Sequence, residues 1–307
     1  MAAWTAPSRL GRDARYWDRP RNLFSVCRIP YAVLLTLDLS KLIDFPNECG
    51  YRIAMTNFPL KGKVALITGA SRGIGRAIAH RLAEDGVHIV VNYLQNEAAA
   101  QKTVEELLAK GVKAAAFQAN IGNLDTHSPL FESILKTFGT LDILIHNAAL
   151  GAFKPVHRLK MNQWDLSMDI NAKAFLALTQ KALPIMEPKK AGIIIALSSL
   201  GAHRFIPNYG AIGISKAAIE TMVRYLGVEL MPKGIRVNAV SGGLVDTDAL
   251  KSFPFFDIFK QEVLKRTPAG RIGKPEDLAR VVAFLCSPES SWIVGQTLTA
   301  DGGLSLI

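Results

Sequence analysis

The stretch that decides the fold runs from Lys63 to Asp85 and reads KVALITGASRGIGRAIAHRLAED. It opens on a short apolar run, Lys63 to Thr68, passes Gly69, and from Gly73 to Asp85 carries apolar residues at helical spacing. Strand, glycine-rich turn and helix in direct succession bring the backbone close to a phosphate. Glycines remove the Cβ atoms that would hold a ligand off, and the first N–H groups of the helix, at its positive dipole end, favour an anion. An ordinary glycine-rich turn shares the composition but not this strand–turn–helix context.

Downstream the same alternation continues. Strands are expected at His88 to Tyr93, Lys113 to Gln118, Leu141 to His146, Ile193 to Leu197, Ile235 to Val240 and Thr297 to Thr299. Helices are expected at Glu97 to Ala109, Leu130 to Phe138, Asn162 to Met186 (interrupted or ended near Pro184), Asn208 to Leu230 and Pro275 to Leu285. Alternating strands and helices predict an α/β protein: a single doubly wound Rossmann domain with a parallel sheet, its crossovers right-handed. The ligand site then falls at the carboxyl ends of the strands.

The 307 residues, 49% hydrophobic, suffice for one large core. The net charge of +10 admits an acidic partner but is also what a solvated surface carries. Basic residues are not interleaved with aromatics inside the domain, so nucleic-acid binding is not expected. Cys27, Cys49 and Cys286 form no CxxC and no metal-ligand spacing, which suits a reducing, cytoplasmic location and predicts no metal site. No run approaches the roughly 20 apolar residues of a membrane span.

Residues 1–54 read differently. Arg9, Arg12, Arg15, Arg19, Arg21 and Arg28 crowd a segment broken by Pro7, Pro20 and Pro30, with no clean period. Asp13 and Asp18 inside the arginine cluster argue against a transit peptide, and no apolar core follows as in a signal peptide. The expectation is a poorly ordered extension, with Met55 as the functional start of a domain spanning 55–307.

A second stretch carries the chemistry: SSLGAHRFIPNYGAIGISK, Ser198 to Lys216, between the Ile193 strand and a long helix. Tyr209 and Lys216, seven apart, share one helix face about two turns from each other. Together with strand-end hydroxyls they suit holding a nicotinamide cofactor and protonating what it reduces. Read alone, Tyr209 is as well explained as a half-buried helix start and Lys216 as a surface lysine.

The motifs together resemble the short-chain dehydrogenase/reductase family, from about Leu60 to Ile307. TGASRGIG (Thr68 to Gly75) is similar to its TGxxxGxG fingerprint, and His146-Asn147-Ala148-Ala149 resembles its NNAG segment with departures at both ends. Asn171 in Asp-Ile-Asn-Ala-Lys matches the family's structural and catalytic Asn, and Asp301-Gly302-Gly303 its ending. Most members carry Tyr-x-x-x-Lys, but the position four before Lys216 is Ile212, and the nearby phenol is Tyr209. That longer spacing resembles the enoyl-[acyl-carrier-protein] reductases. Ser199 stands where their type I enzymes have a first Tyr. The segments SSLG, Asn238 to Gly243 and Asp246 to Leu250 are most similar to the type III enzymes.

The resemblance implies catalytic roles for Tyr209, Lys216, Ser198 and Asn171. It implies a cofactor site of Gly69, Ser71, Arg72, Gly73, Ile74, Gly75, Asn92, Tyr93, Asn120, Ile121, Asn147, Tyr209, Lys216, Gly242 and Val245. Strand two ends in Asn92 and Tyr93 with no acid for a ribose 2′-OH; Glu97 comes too late, and Arg72 is placed to meet a 2′-phosphate. NADPH is therefore the expected cofactor, unless Arg72 is a solvated loop charge. Ser198 either holds the substrate carbonyl or a water, or caps backbone at the strand end.

Residues 244–271, with Phe253, Phe255, Phe256, Phe259 and Leu264, form the expected substrate flap over an acyl chain, or alternatively ordinary core. Lys251, Lys260, Lys265, Arg266, Arg204 and Arg224 offer a surface to an acidic carrier protein. The resulting expectation is reduction of an acyl-carrier-protein-bound or CoA-bound enoyl thioester by a homotetramer. The alternatives are a 3-ketoacyl or other carbonyl reductase, and a non-catalytic dinucleotide sensor.

Overall fold

The computed structural model describes residues 60–248 and 256–307. The expected extension 1–54 and the flap residues Lys251, Phe253 and Phe255 lie outside the described residues, as do the side chains of Phe256 and Phe259.

Seven strands form the sheet: β1 Val64–Ile67, β2 His88–Tyr93, β3 Ala114–Gln118, β4 Ile143–His146, β5 Gly192–Ser199, β6 Ile235–Gly242 and β7 Thr297–Ala300. They lie in the order 3-2-1-4-5-6-7, and each neighbouring pair is parallel. The chain winds outward from β1 to β3 and returns to β4. The turns after β1 and β4 therefore leave in opposite directions and open a crevice between them.

Successive residues of a strand face opposite sides, so β1 supplies both layers. Ala65 and Ile67 join a core with α1 (Gly73–Glu84), α2 (Glu97–Ala109) and α8 (Pro275–Cys286). Val64 and Leu66 join the other, with α3 (His127–Phe138), α5 (Ala174–Met186) and α6 (Gly210–Leu230). Sandwiching the sheet this way explains why its strands read as continuous apolar runs.

Several element ends differ by a few residues from the sequence reading, and three of these differences bear on the site. The helix expected from Asn162 is α4 (Met161–Ser167), a π-helical turn (Met168–Lys173) and then α5. The break is at Asn171, drawn inward by bonds to Leu150 and Ser215, and not at Pro184, which sits inside α5 close to its end. Helix α6 begins at Gly210 because Asn208 takes a left-handed conformation (φ 62°) that no helix accommodates. β5 and β6 run two residues further than expected, and the added rungs pair Ser198 with Ser241 and Ser199 with Gly242. Within the Phe-rich connection, α7 spans Phe256–Arg266.

Phe175 anchors the second layer: it is fully buried and its ring stands 5.6 Å from that of His146. Phe175→Ala should cost about 3–5 kcal/mol in urea unfolding. A loss under about 1 kcal/mol would show that this face repacks freely.

Candidate active site

The site is built where β1 and β4 end. Thr68, fully buried, accepts on Oγ1 from the N–H groups of Asn147 (2.9 Å) and Ala148 (3.0 Å). Asn147 answers by donating Nδ2 to the carbonyls of Thr68 (2.8 Å) and Gly69 (3.2 Å). This clamp fixes the glycine turn. Gly69 and Gly73 are left-handed (φ 65° and 56°), and a Cβ on Gly75 would stand 2.5 Å from the Gly69 oxygen. Gly75 thus lets α1 press onto the turn and supports the cradle from behind, without lining the crevice itself. Arg72 is the N-cap of α1 and its side chain does not cap the helix. The first N–H groups of α1 are left facing the crevice, a cradle that fits a pyrophosphate.

Asn92 spends its side chain on backbone. Oδ1 accepts from Gly69 N, and Nδ2 donates to Phe117 and Ala119 carbonyls. It braces the turn. Beyond Tyr93, the residues Leu94, Gln95 and Asn96 line the crevice; the sequence reading named none of them. Their signal was position, directly after the last residue of β2. Glu97 opens α2 and does not line the cleft, so no carboxylate stands at the end of β2.

The crevice has a volume of about 650 Å³. Its wall brings together Gly69, Ser71, Arg72, Gly73, Ile74, Asn92, Tyr93, Asn120, Ile121, Asn147, Ser198, Tyr209, Lys216, Gly242 and Val245. Asn171 stays behind the wall. Its amide accepts from Leu150 N (3.0 Å) and donates to Leu150 O (3.0 Å) and Ser215 Oγ (2.8 Å), making it a brace between the loop after β4 and α6. Its side chain therefore braces backbone behind the wall and does not itself line the crevice. His146, at the family's departure, donates from Nε2 to Asn171 O (2.8 Å), while Nδ1 has no partner among the described residues. Burial, then the nearby Lys216, lowers its pKa to about 3, so the ring is neutral.

Lys216 is buried with Nζ donating to Leu197 O at 2.7 Å. Tyr209 sits at the N-cap of α6, its ring against Gly201, where a Cβ would come within 2.5 Å. Its hydroxyl donates to Ser199 Oγ at 3.2 Å. Burial pushes the phenol pKa up and outweighs the Ser199 bond, so Tyr209 is a protonated donor at neutral pH. Ile212 is buried, packed beneath Gly151, and does not line the crevice. The chain has no phenol one turn before Lys216; among the described residues the wall carries Tyr93 after β2 and Tyr209 at the cap of the helix that holds Lys216.

A family profile described as enoyl-(acyl carrier protein) reductase matches residues 69–305. The chain belongs to the short-chain dehydrogenase/reductase family. It is 43% identical to 1-cyclohexenylcarbonyl-CoA reductase of Streptomyces collinus, over 80% of this chain and 88% of that one. It is 38% identical to 3-oxoacyl-[acyl-carrier-protein] reductase of Staphylococcus aureus, over 79% and 98%. Among solved structures it is similar to a 7α-hydroxysteroid dehydrogenase complexed with NADH and 7-oxoglycochenodeoxycholic acid: TM-score 0.76, 37% identity, covering 80% and 96%. The chain is an oxidoreductase of this family, and the cradle and the Lys216 wall are the parts that fit a nicotinamide dinucleotide.

Among the described residues there is no group of side chains that would hold a metal ion, and no helix is long and apolar enough to cross a membrane. Several cations expected to face a carrier protein have partners within the chain. Arg204 donates to Ser305 O, Arg266 to Ile307 O, Arg224 to Thr221, and Lys265 pairs with Glu262.

Burial lowers the Lys216 pKa from 10.5 to about 8. Between these values the unfolded chain binds more protons than the folded one, so stability rises with pH across that window. Relative to Lys216→Met, the wild type should gain on the order of 3 kcal/mol between about pH 7 and pH 10.5 in urea unfolding. Parallel curves would mean that Lys216 is not desolvated.

Proposed function

We propose that the protein is an NADPH-dependent reductase of α,β-unsaturated acyl thioesters. The observation that carries this reading is the displaced phenol: Ile212 packs away beneath Gly151, and Tyr209 reaches the wall from the helix cap. Bound in the crevice, NADPH supplies a hydride. Reduction at the β-carbon of an enoyl thioester leaves negative charge on the thioester oxygen, distant from the carbon attacked. A donor set back from the lysine suits that oxygen, and Tyr209, kept protonated by burial, can exchange its neutral 3.2 Å bond to Ser199 for a charge-assisted one to the developing oxyanion. Lys216, freed from Leu197 O, has donors for the nicotinamide ribose hydroxyls. Arg72, with no acid after Tyr93, favours a 2′-phosphate over a free 2′-OH. The Streptomyces relative supports the substrate class, since 1-cyclohexenylcarbonyl-CoA is itself a thioester conjugated to a double bond.

A second reading is reduction of a 3-oxoacyl thioester. It is supported by the staphylococcal relative, which covers more of its own length and weighs at least as much as the enoyl relative. The carrier, protein or CoA, belongs to either reading. The assembly in both is a homotetramer joined through α5 and α6, whose Leu176, Tyr225 and Val228 are exposed.

Crotonyl and acetoacetyl thioesters offered in parallel, with NADPH absorbance followed, separate the readings. Oxidation with crotonyl thioester is expected, and faster turnover of acetoacetyl thioester would overturn the first reading. Tyr209→Phe should lower kcat about 100-fold or more while NADPH binding, read by fluorescence, stays within about twofold. Unchanged turnover removes Tyr209 from the chemistry. Arg72→Glu should raise the KM for NADPH at least about tenfold more than that for NADH; equal changes would defeat the cofactor assignment.

A further inference from the structure

Ser198 lines the crevice, yet its hydroxyl proton is directed out of it. Ser198 Oγ donates to Glu220 Oε1 at 2.5 Å. Glu220, on α6, has a side chain only 2% exposed, and its second oxygen is held by His203 Nε2 from the turn after β5. Lys216, one helical turn earlier, is directed to Leu197 O, and the partners this carboxylate has are Ser198 and His203. A carboxylate accepts and never donates, and a serine has one proton. What Ser198 presents to the crevice is therefore lone pairs. The bond is charge-assisted and withdrawn from water, so it is stronger than the neutral bond a substrate carbonyl would offer in exchange.

We propose that Glu220 is a positioning residue that sets substrate preference: by holding the Ser198 proton it withdraws that hydroxyl as a donor and leaves oxyanion stabilisation to Tyr209. The consequence differs between the two substrate classes. Hydride addition to a 3-oxo group places a full charge on one alkoxide oxygen, which needs every available donor. Addition to an enoyl thioester spreads the charge between the carbonyl oxygen and the α-carbon, and tolerates one donor fewer. Glu220 thereby handicaps ketone reduction more than enoyl reduction. This inference deepens the enoyl-thioester reading and rests on it for the direction of the natural preference.

The test uses the full-length protein with NADPH and the CoA thioesters of crotonate and acetoacetate. Its variants are Glu220→Met, Ser198→Ala and the double variant. Methionine fills the glutamate's space without a buried charge, a replacement that is often neutral or stabilising. Glu220→Met should lower the crotonyl-to-acetoacetyl ratio of kcat/KM about tenfold, the value of one hydrogen bond regained in a transition state, chiefly by raising acetoacetyl turnover. In the Ser198→Ala background the same substitution should leave the ratio unchanged. A ratio unmoved by Glu220→Met, or moved equally without Ser198, overturns the proposal.

Thermal midpoints of the four proteins supply a readout independent of turnover: a Ser198–Glu220 coupling is expected, and strict additivity counts against it. Should Glu220→Met not fold, Glu220→Gln keeps the shape while turning an amide N–H toward Ser198. Its ratio should fall at least about threefold, and no fall overturns the idea. A wild type that prefers acetoacetyl thioester defeats the enoyl reading, while the rise in acetoacetyl turnover in Glu220→Met still judges Glu220 by itself.

Discussion

The structure depends on one clamp at the switch point of the sheet, where Thr68 at the end of β1 takes two backbone N–H groups from the end of β4 and Asn147 returns two bonds. Here the chain reverses its winding and the covering loops part, so backbone polar groups would otherwise be stranded beside a crevice. The clamp satisfies them internally and leaves the N–H groups of α1 as the polar surface still open to a ligand. Packing elsewhere serves to keep these two strand ends in register: two apolar layers, fed alternately by Val64 and Leu66 on one side and Ala65 and Ile67 on the other.

Around that clamp the site is a set of groups withdrawn from water, and withdrawal determines their chemistry. His146 is held neutral, the Lys216 pKa is lowered to about 8, and the Tyr209 phenol is held protonated. These are directions that one cause, desolvation, imposes on three different groups. A protonated phenol on the same wall as a buried lysine suits stabilising charge on a substrate oxygen better than a phenolate would. The π-helical turn at Asn171 serves the same end, since its widened backbone lets one amide brace both the loop after β4 and the helix that carries Tyr209 and Lys216.

Element identity was legible because the central strands β1, β2, β4, β5 and β6 are runs of mostly buried apolar residues and the helices carry a 3.6-residue period; helices at Glu97–Ala109 and Gly73–Glu84 and the strand His88–Tyr93 lie where those patterns put them. Boundaries set by side chains reaching across the fold were not legible. Asn171 moves the break in its helix away from Pro184, and Asn208, left-handed, delays the start of α6. Both effects depend on partners remote in sequence or on a backbone angle that composition does not encode.

The sequence by itself determined the doubly wound sheet, the phosphate-binding turn and the displacement of the phenol, because each is written in residues adjacent along the chain. Tertiary structure alone decided which of the named residues face the crevice. It put Gly75 and Asn171 behind the wall, added Leu94, Gln95 and Asn96, and turned the Ser198 hydroxyl toward Glu220, 22 residues on. A hydroxyl's direction is set by the strongest acceptor within reach, and what is within reach is a property of the folded chain.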